Sequence, residues 1–238
     1  MAFTFKIRNL IYRLAWPISQ LNNTVSMHPM RVAQRRALED SVDYLEAEMG
    51  KAIGMRTQRE VIGHGVKEGL KVDGVFCEFG VYKAEALRFI GKTIGASRRA
   101  HGFDSFEGLP EAWEGHNMVE GDFDVGGKLP KVESNTKLHK GWFDQSLPRW
   151  LDAHPDKIAF VHIDCDLYSS TKTVFDLLKD RFQPGTVIVF DEYFNYPGWR
   201  KHEFKAFQEF IAENGVSYSY LAYAKYNVAV RLDSIGGT

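Results

Sequence analysis

The sequence predicts an α/β fold: a parallel sheet of about seven strands with helices on both faces, closed by a C-terminal antiparallel hairpin and preceded by N-terminal helices. Three observations carry this expectation. Before residue 72, apolar residues recur at three- and four-residue spacing amid charge, without β-branched runs. After Gly74, short apolar strands alternate with amphipathic helices, and a parallel sheet covered on both faces is the economical solution to that rhythm. Near the end, "VSYSYLAYAKYNVAVRL" holds two β-rich runs so close together that only a hairpin joins them.

Taken in order, "RVAQRRALEDSVDYLEAEMGKAI" and "TQREVIGHGVKEGL" form a helical preface. Strands are expected at Val75 to Phe79, Arg99 to Phe103, weakly near Lys137 to His139, and at Ile158 to Ile163 and Val187 to Phe190. The hairpin takes Ser217 to Ala224 and Asn227 to Leu232. Helices fall between them, at about Ala84 to Ile94, Gln145 to Ala153, Ser169 to Arg181 and Arg200 to Asn214. The division is therefore a helical segment over residues 1–72 and a cofactor-binding domain over 73–238. A polar stretch from Phe106 to Asn135 reads as a lid, a binding loop or a disordered insert. At the start, "MAFTFKIRNLIYRLAWPISQL" would place Phe3, Ile7, Leu10, Ile11 and Leu14 on one helical face. Packing on its own domain or on a second subunit, as in a homo-oligomer, is favoured over contact with a membrane surface.

Composition bounds the rest. With 238 residues, 44% hydrophobic and 26% charged, the chain buries one sizeable core. Thirty basic residues oppose 31 acidic ones for a net charge of -1, and no Lys/Arg run interleaves with aromatics, so nucleic acid is not an expected partner. No apolar run is long enough to span a bilayer. Only Cys77 and Cys165 are present, too few for a disulfide framework, which fits a reducing cytoplasm.

In an open α/β sheet, ligands sit beyond the carboxyl ends of the strands. The first strand ends in "VFCEFGVYKAEAL", where Gly80 permits a tight turn and Glu78 can accept hydrogen bonds. Tyr82 and Ala84 stand where a dinucleotide motif needs glycines, which argues against a nicotinamide enzyme. The second strand ends in "GFDSFEGLP": Asp104 is placed to hold ribose hydroxyls, with Ser105 beside it, and Phe106 either flanks an adenine or is core. "KGWFDQSLP" sets Gly141, Trp142 and Phe143 either over the purine or as a plug on the sheet edge. The next two strands end in Asp164 and Asp166 ("FVHIDCDL") and in Asp191 and Glu192 ("VIVFDEYF"). Four carboxylates on one rim repel one another unless a cation or proton is shared among them. An oxygen-only set without a Cys/His cluster suits Mg2+ or Mn2+ rather than zinc. The bland alternative, an N-cap, suits Asp166 but leaves an acidic pair at both strand ends unexplained.

In that order, "CEFGVYKAEAL", "GFDSFEGLP", "KGWFDQSLP", "HIDCDLYSST" and "GTVIVFDEY" resemble the macrocin- and mycinamicin-type sugar O-methyltransferases, which are class I, metal-dependent, S-adenosylmethionine-using enzymes. The resemblance runs from about Gly74 to Phe210 and implies a Rossmann-like methyltransferase sheet. It matches Asp164, Asp191 and Glu192 to metal ligands, Asp166 to the general base, and Glu78, Gly80 and Asp104 to contacts with the methionine and ribose parts of the cofactor. The cofactor set is then Glu78, Gly80, Tyr82, Asp104, Ser105, Phe106, Gly141, Trp142 and Phe143, with Asp164 shared with the metal. Two departures stand out: Lys83, Ala84 and Glu85 replace the family's Gly-rich turn, and Asp-Glu replaces two aspartates. The implied acceptor is a small molecule or glycan bearing a sugar hydroxyl. "YFNYPGWRKHEFKAF" offers Tyr193, Trp199, His202 and Glu203 to such an acceptor, with His202 as an alternative base. Two rival readings are a D-x-D glycosyltransferase and a silent cofactor-binding partner of an active subunit.

Overall fold

A computed structural model describes residues 28–113 and 118–236. The amphipathic segment at the N-terminus lies outside the described residues. The helical preface is α1 (Pro29–Glu48) and α2 (Gln58–Gly69), with a two-residue strand β1 (Ile53–Gly54) between them. The βα alternation follows as β2 (Val75–Phe79), α3 (Glu85–Ile94), β3 (Ala100–Asp104), β4 (Thr136–Lys140), α4 (Phe143–Ala153), β5 (Ile158–Ile163), α5 (Tyr168–Leu178), β6 (Val187–Phe190) and α6 (Glu203–Glu213). The hairpin β7 (Ser217–Tyr223) and β8 (Val228–Ser234) closes the chain.

The sheet has eight strands in the order β1-β7-β8-β6-β5-β2-β3-β4. Strand β8 is antiparallel to β6 and β7, while β2 is flanked by parallel β3 and β5. The strand count exceeds expectation by the short β1, which pairs in parallel with β7. Two residues carry no periodicity, so this strand leaves no trace in an apolar pattern.

Alternation along the strands sorts the core into two layers. Val187 and Val189 pack with Val61 and Val66 of α2 and Leu87 and Ile90 of α3. Ile188 and Phe190 pack on the other face with Phe175 of α5 and Phe207 and Phe210 of α6. Gly65 lets α2 lie directly on the sheet, because a Cβ there would fall 2.6 Å from Val189 Cγ2. The helical preface is thus built into the sheet. Among the described residues, no helix is long and apolar enough to cross a membrane.

At the β4 edge, three histidines surround Trp150. The indole N–H can only donate, so His101 Nδ1 accepts it at 3.2 Å, and His139 Nε2 lies 3.0 Å from the same nitrogen. Accepting the indole proton needs neutral His101. Burial, helped by the neighbouring His139, holds His101 down to about 3, and burial holds His139 down to about 4. The unfolded chain therefore binds these protons first, and stability present above the ordinary imidazole range, about 6.5, is lost as pH falls toward the folded values. Between about pH 7.5 and about pH 5, the wild type should lose on the order of 5 °C more in melting temperature than His101→Asn, the difference isolating these imidazoles from the carboxylates that titrate in the same window. Thermal unfolding of both proteins across pH checks this.

Candidate active site

Strand register assembles the site. The parallel ladder runs one residue past each strand: Gly80 N–H donates to Phe103 O, Asp164 N–H to Phe79 O, Asp191 N–H to Ile163 O and Gly141 N–H to Asp104 O. Each residue that ends an apolar run is therefore delivered to one rim. There the order departs from sequence at β2, with β3 on one side and β5 on the other, as at a topological switch point.

A cavity of about 580 Å³ opens along this rim. Gly80, Tyr82, Asp104, Ser105, Trp142 and Phe143 line one part of it, and Asp164, Asp166, Asp191 and Glu192 another. The roof comes from the polar segment after β3, through Leu109, Pro110, Trp113, Met118 and Phe123. Among that segment's ties to the scaffold, Phe123 meets Tyr82 edge to face at 5.5 Å, and Glu111 accepts the Ser169 hydroxyl at 2.6 Å. Tyr82, Phe123 and Asp166 take φ of 46°, 69° and 63° at this cavity. Strained backbone of this kind concentrates at functional sites.

Asp104 is braced before any ligand arrives. Its Oδ2 accepts Val81 N–H at 2.7 Å and Tyr82 N–H at 2.8 Å, and its Oδ1 accepts Phe106 N–H at 2.6 Å. Acceptor capacity remains on Oδ1. One oxygen from each of Asp164, Asp166 and Glu192 lies within 4.8 Å of the others, so the structure groups Asp166, rather than Asp191, with Asp164 and Glu192. Burial, with the charge of Asp191 second, drives Asp164 and Glu192 well above the usual carboxylate range and Asp166 up to about 7. Asp191 behaves oppositely. Burial pushes it up, but the attraction of the nearby His162, with a hydrogen bond from Gln58, outweighs burial and holds it below its usual value.

Several expected residues stand elsewhere. Glu78 is 1% exposed, off the cavity wall, with Oε1 2.8 Å from His162 Nδ1. Phe106 takes φ of 58° and buries its ring in the core layer of Val81 and Ala84, so it is a core residue rather than part of the wall. Gly141 and His202 are also off the wall; His202 is buried, its ring 6.2 Å from that of Trp113. Tyr193 and Trp199 are buried against Phe204, and Tyr44 and Tyr220 complete that aromatic cluster. Glu203 is fully buried, its Oε2 accepting Glu192 N–H at 3.1 Å. The region after β6 therefore supports the rim from within instead of presenting aromatic faces to an acceptor. Trp113 and Phe123 join the wall unannounced, their only signal being aromatic residues inside an otherwise polar loop, and the buried His162, two residues before Asp164, comes equally unannounced to Asp191.

Comparison with known proteins agrees with this geometry. Residues 9–221 match the family model described as Macrocin-O-methyltransferase (TylF). The chain is 27% identical over 143 residues to 8-demethyl-8-(2,3-dimethoxy-alpha-L-rhamnosyl)-tetracenomycin-C 4'-O-methyltransferase of Streptomyces olivaceus, a match that spans 51% of this chain and 54% of that relative. Among solved structures, the calicheamicin methyltransferase CalS11 superposes with a TM-score of 0.62 at 22% identity, covering 90% of each chain. The O-methyltransferase NovP superposes with a TM-score of 0.58 at 21% identity, covering 74% of this chain and 79% of its own. At those identities, the two structures bear on the fold alone.

Proposed function

Since the chain belongs to the macrocin O-methyltransferase family, we propose that it transfers the methyl group of S-adenosylmethionine to a hydroxyl of a sugar or glycosylated compound, with a divalent cation at the acidic rim. The observation that carries this reading is the register of β2, β3, β5 and β6, which sets Gly80 and Asp104 beside the acidic group in one cavity. S-adenosylmethionine supplies an electrophilic methyl group, and Mg2+ or Mn2+ lowers the pKa of an acceptor hydroxyl.

The residues present fit such an ion. Glu192 Oε2 is buried without a hydrogen-bond partner, and crowding among Asp164, Asp166 and Glu192 is the arrangement a double positive charge relieves. Asp164 and Glu192 of that group, with Asp191 beside them on the same wall, would hold it through oxygen, the donor type that Mg2+ and Mn2+ prefer, and Asp166 is the member left free of the ion. Asp166 then takes the hydroxyl proton, a role worth about 10²- to 10⁴-fold in rate. On the other wall, Asp104 accepts ribose hydroxyls through its remaining capacity, while Trp142 and Phe143 flank the purine. Trp113, Met118 and Phe123 cover the acceptor and exclude water. Buried free thiols at Cys77 and Cys165 favour a reducing compartment, the cytoplasm.

Calorimetry separates this reading from the D-x-D glycosyltransferase alternative. S-adenosylhomocysteine should bind with one site per chain and UDP-glucose should not. Binding of the nucleotide sugar alone would replace methyl transfer with glycosyl transfer.

A further inference from the structure

We propose that Gln58 and Asn227 are positioning residues that fix the Asp191 carboxylate for the ion; this rests on the reading of the rim as a metal site. Asn227 Nδ2 donates to the Asp191 backbone oxygen at 2.8 Å and to its Oδ1 at 2.7 Å, and Gln58 Nε2 donates to the same Oδ1. His162 Nε2 lies 3.8 Å from it. Neither amide lies in a loop that follows β2, β3, β5 or β6. Gln58 is the first residue of α2, and Asn227 sits in the β7–β8 turn, where its carbonyl accepts Ala224 N–H at 2.9 Å. The helical preface and the terminal hairpin thus meet on one oxygen.

The chemistry of these donors matters. Two amide N–H groups use up the acceptor capacity of Oδ1 and leave Oδ2 for the ion. Amides add no charge of their own, so among the described residues the basic group beside Asp191 Oδ1 is His162, whose other ring nitrogen is held by Glu78 at 2.8 Å. A lysine or arginine at either position would neutralise Asp191 and compete with the cation. Glu192 differs, since its Oε2 has no partner. Asp191 is therefore the ligand aligned in advance, and Glu192 is the one that settles onto the ion.

Partners of this kind contribute about 10- to 100-fold to metal affinity when removed. Mn2+ binding to the S-adenosylhomocysteine complex, followed by the electron paramagnetic resonance of free Mn2+, reads this without turnover. Gln58→Met keeps the length of an exposed side chain and removes its donors, so the fold should be retained. It should weaken Mn2+ binding about tenfold and leave S-adenosylhomocysteine affinity and melting temperature unchanged. Asn227→Ala should weaken Mn2+ binding at least as much, and if that variant fails to fold, Gln58→Met decides alone. A folded Gln58→Met protein that binds Mn2+ like the wild type, or that loses S-adenosylhomocysteine affinity in parallel, overturns the assignment. Wild-type protein that binds S-adenosylhomocysteine but no Mn2+ overturns the metal reading itself, and the inference with it.

Discussion

Asp164→Ala should lower methyl transfer by on the order of 10³-fold while leaving S-adenosylhomocysteine affinity within about twofold of wild type. Asp164 ends β5 at the centre of the rim, and its backbone N–H is bonded to Phe79 O whatever its side chain. Alanine therefore keeps the ladder and removes only a carboxylate. The lost stabilisation of a developing alkoxide is several kcal/mol, and each factor of ten in rate costs about 1.4 kcal/mol. The variant should also be at least as stable as the parent, since it removes one half-buried carboxylate crowded against Asp166 and Glu192. Activity assays, calorimetry and thermal melts on one preparation separate these effects. A matched fall in cofactor affinity would mean that Asp164 serves the cofactor and not the acceptor.

The second large effect falls on the backbone. Gly80 adopts φ of 88°, and a Cβ built there would lie 1.7 Å from the carbonyl oxygen of Asp164. That atom is fixed by the β2–β5 ladder and cannot move aside as a flexible side chain would. Gly80→Ala must separate the two strand ends that hold the cofactor and the acidic rim. The expected cost is about 4 kcal/mol, in the range where strain at a special backbone position becomes diagnostic. For a chain of this size, that lowers the melting temperature by on the order of 10 °C. Unaltered stability would mean that the close approach of β2 and β5 is relaxed in solution.

The sequence displayed the sheet because its central strands are short apolar runs buried along their whole length: every residue of β2, β5 and β6 is buried. It displayed the acidic rim for the same reason, since a carboxylate directly after such a run is delivered to the strand end by the ladder. What composition does not encode is where a side chain points once the strand stops. Phe106, Tyr193 and Trp199 suit a ligand pocket and a core equally well, and local backbone sends all three inward. The partners of Asp191 were hidden for another reason. Gln58 is 133 residues away from it and Asn227 is 36 residues away, so no local spacing announces their contact.

The proposed methyl transfer depends on one divalent ion among the carboxylates at the ends of β5 and β6. Crystals soaked with S-adenosylhomocysteine and Mn2+, measured across the manganese absorption edge, test it directly. A single anomalous peak should appear about 2.2 Å from oxygens of Asp164, Asp191 and Glu192, with the ligand resting against Gly80 and Asp104. A bound ligand with no anomalous peak at those carboxylates would contradict that dependence.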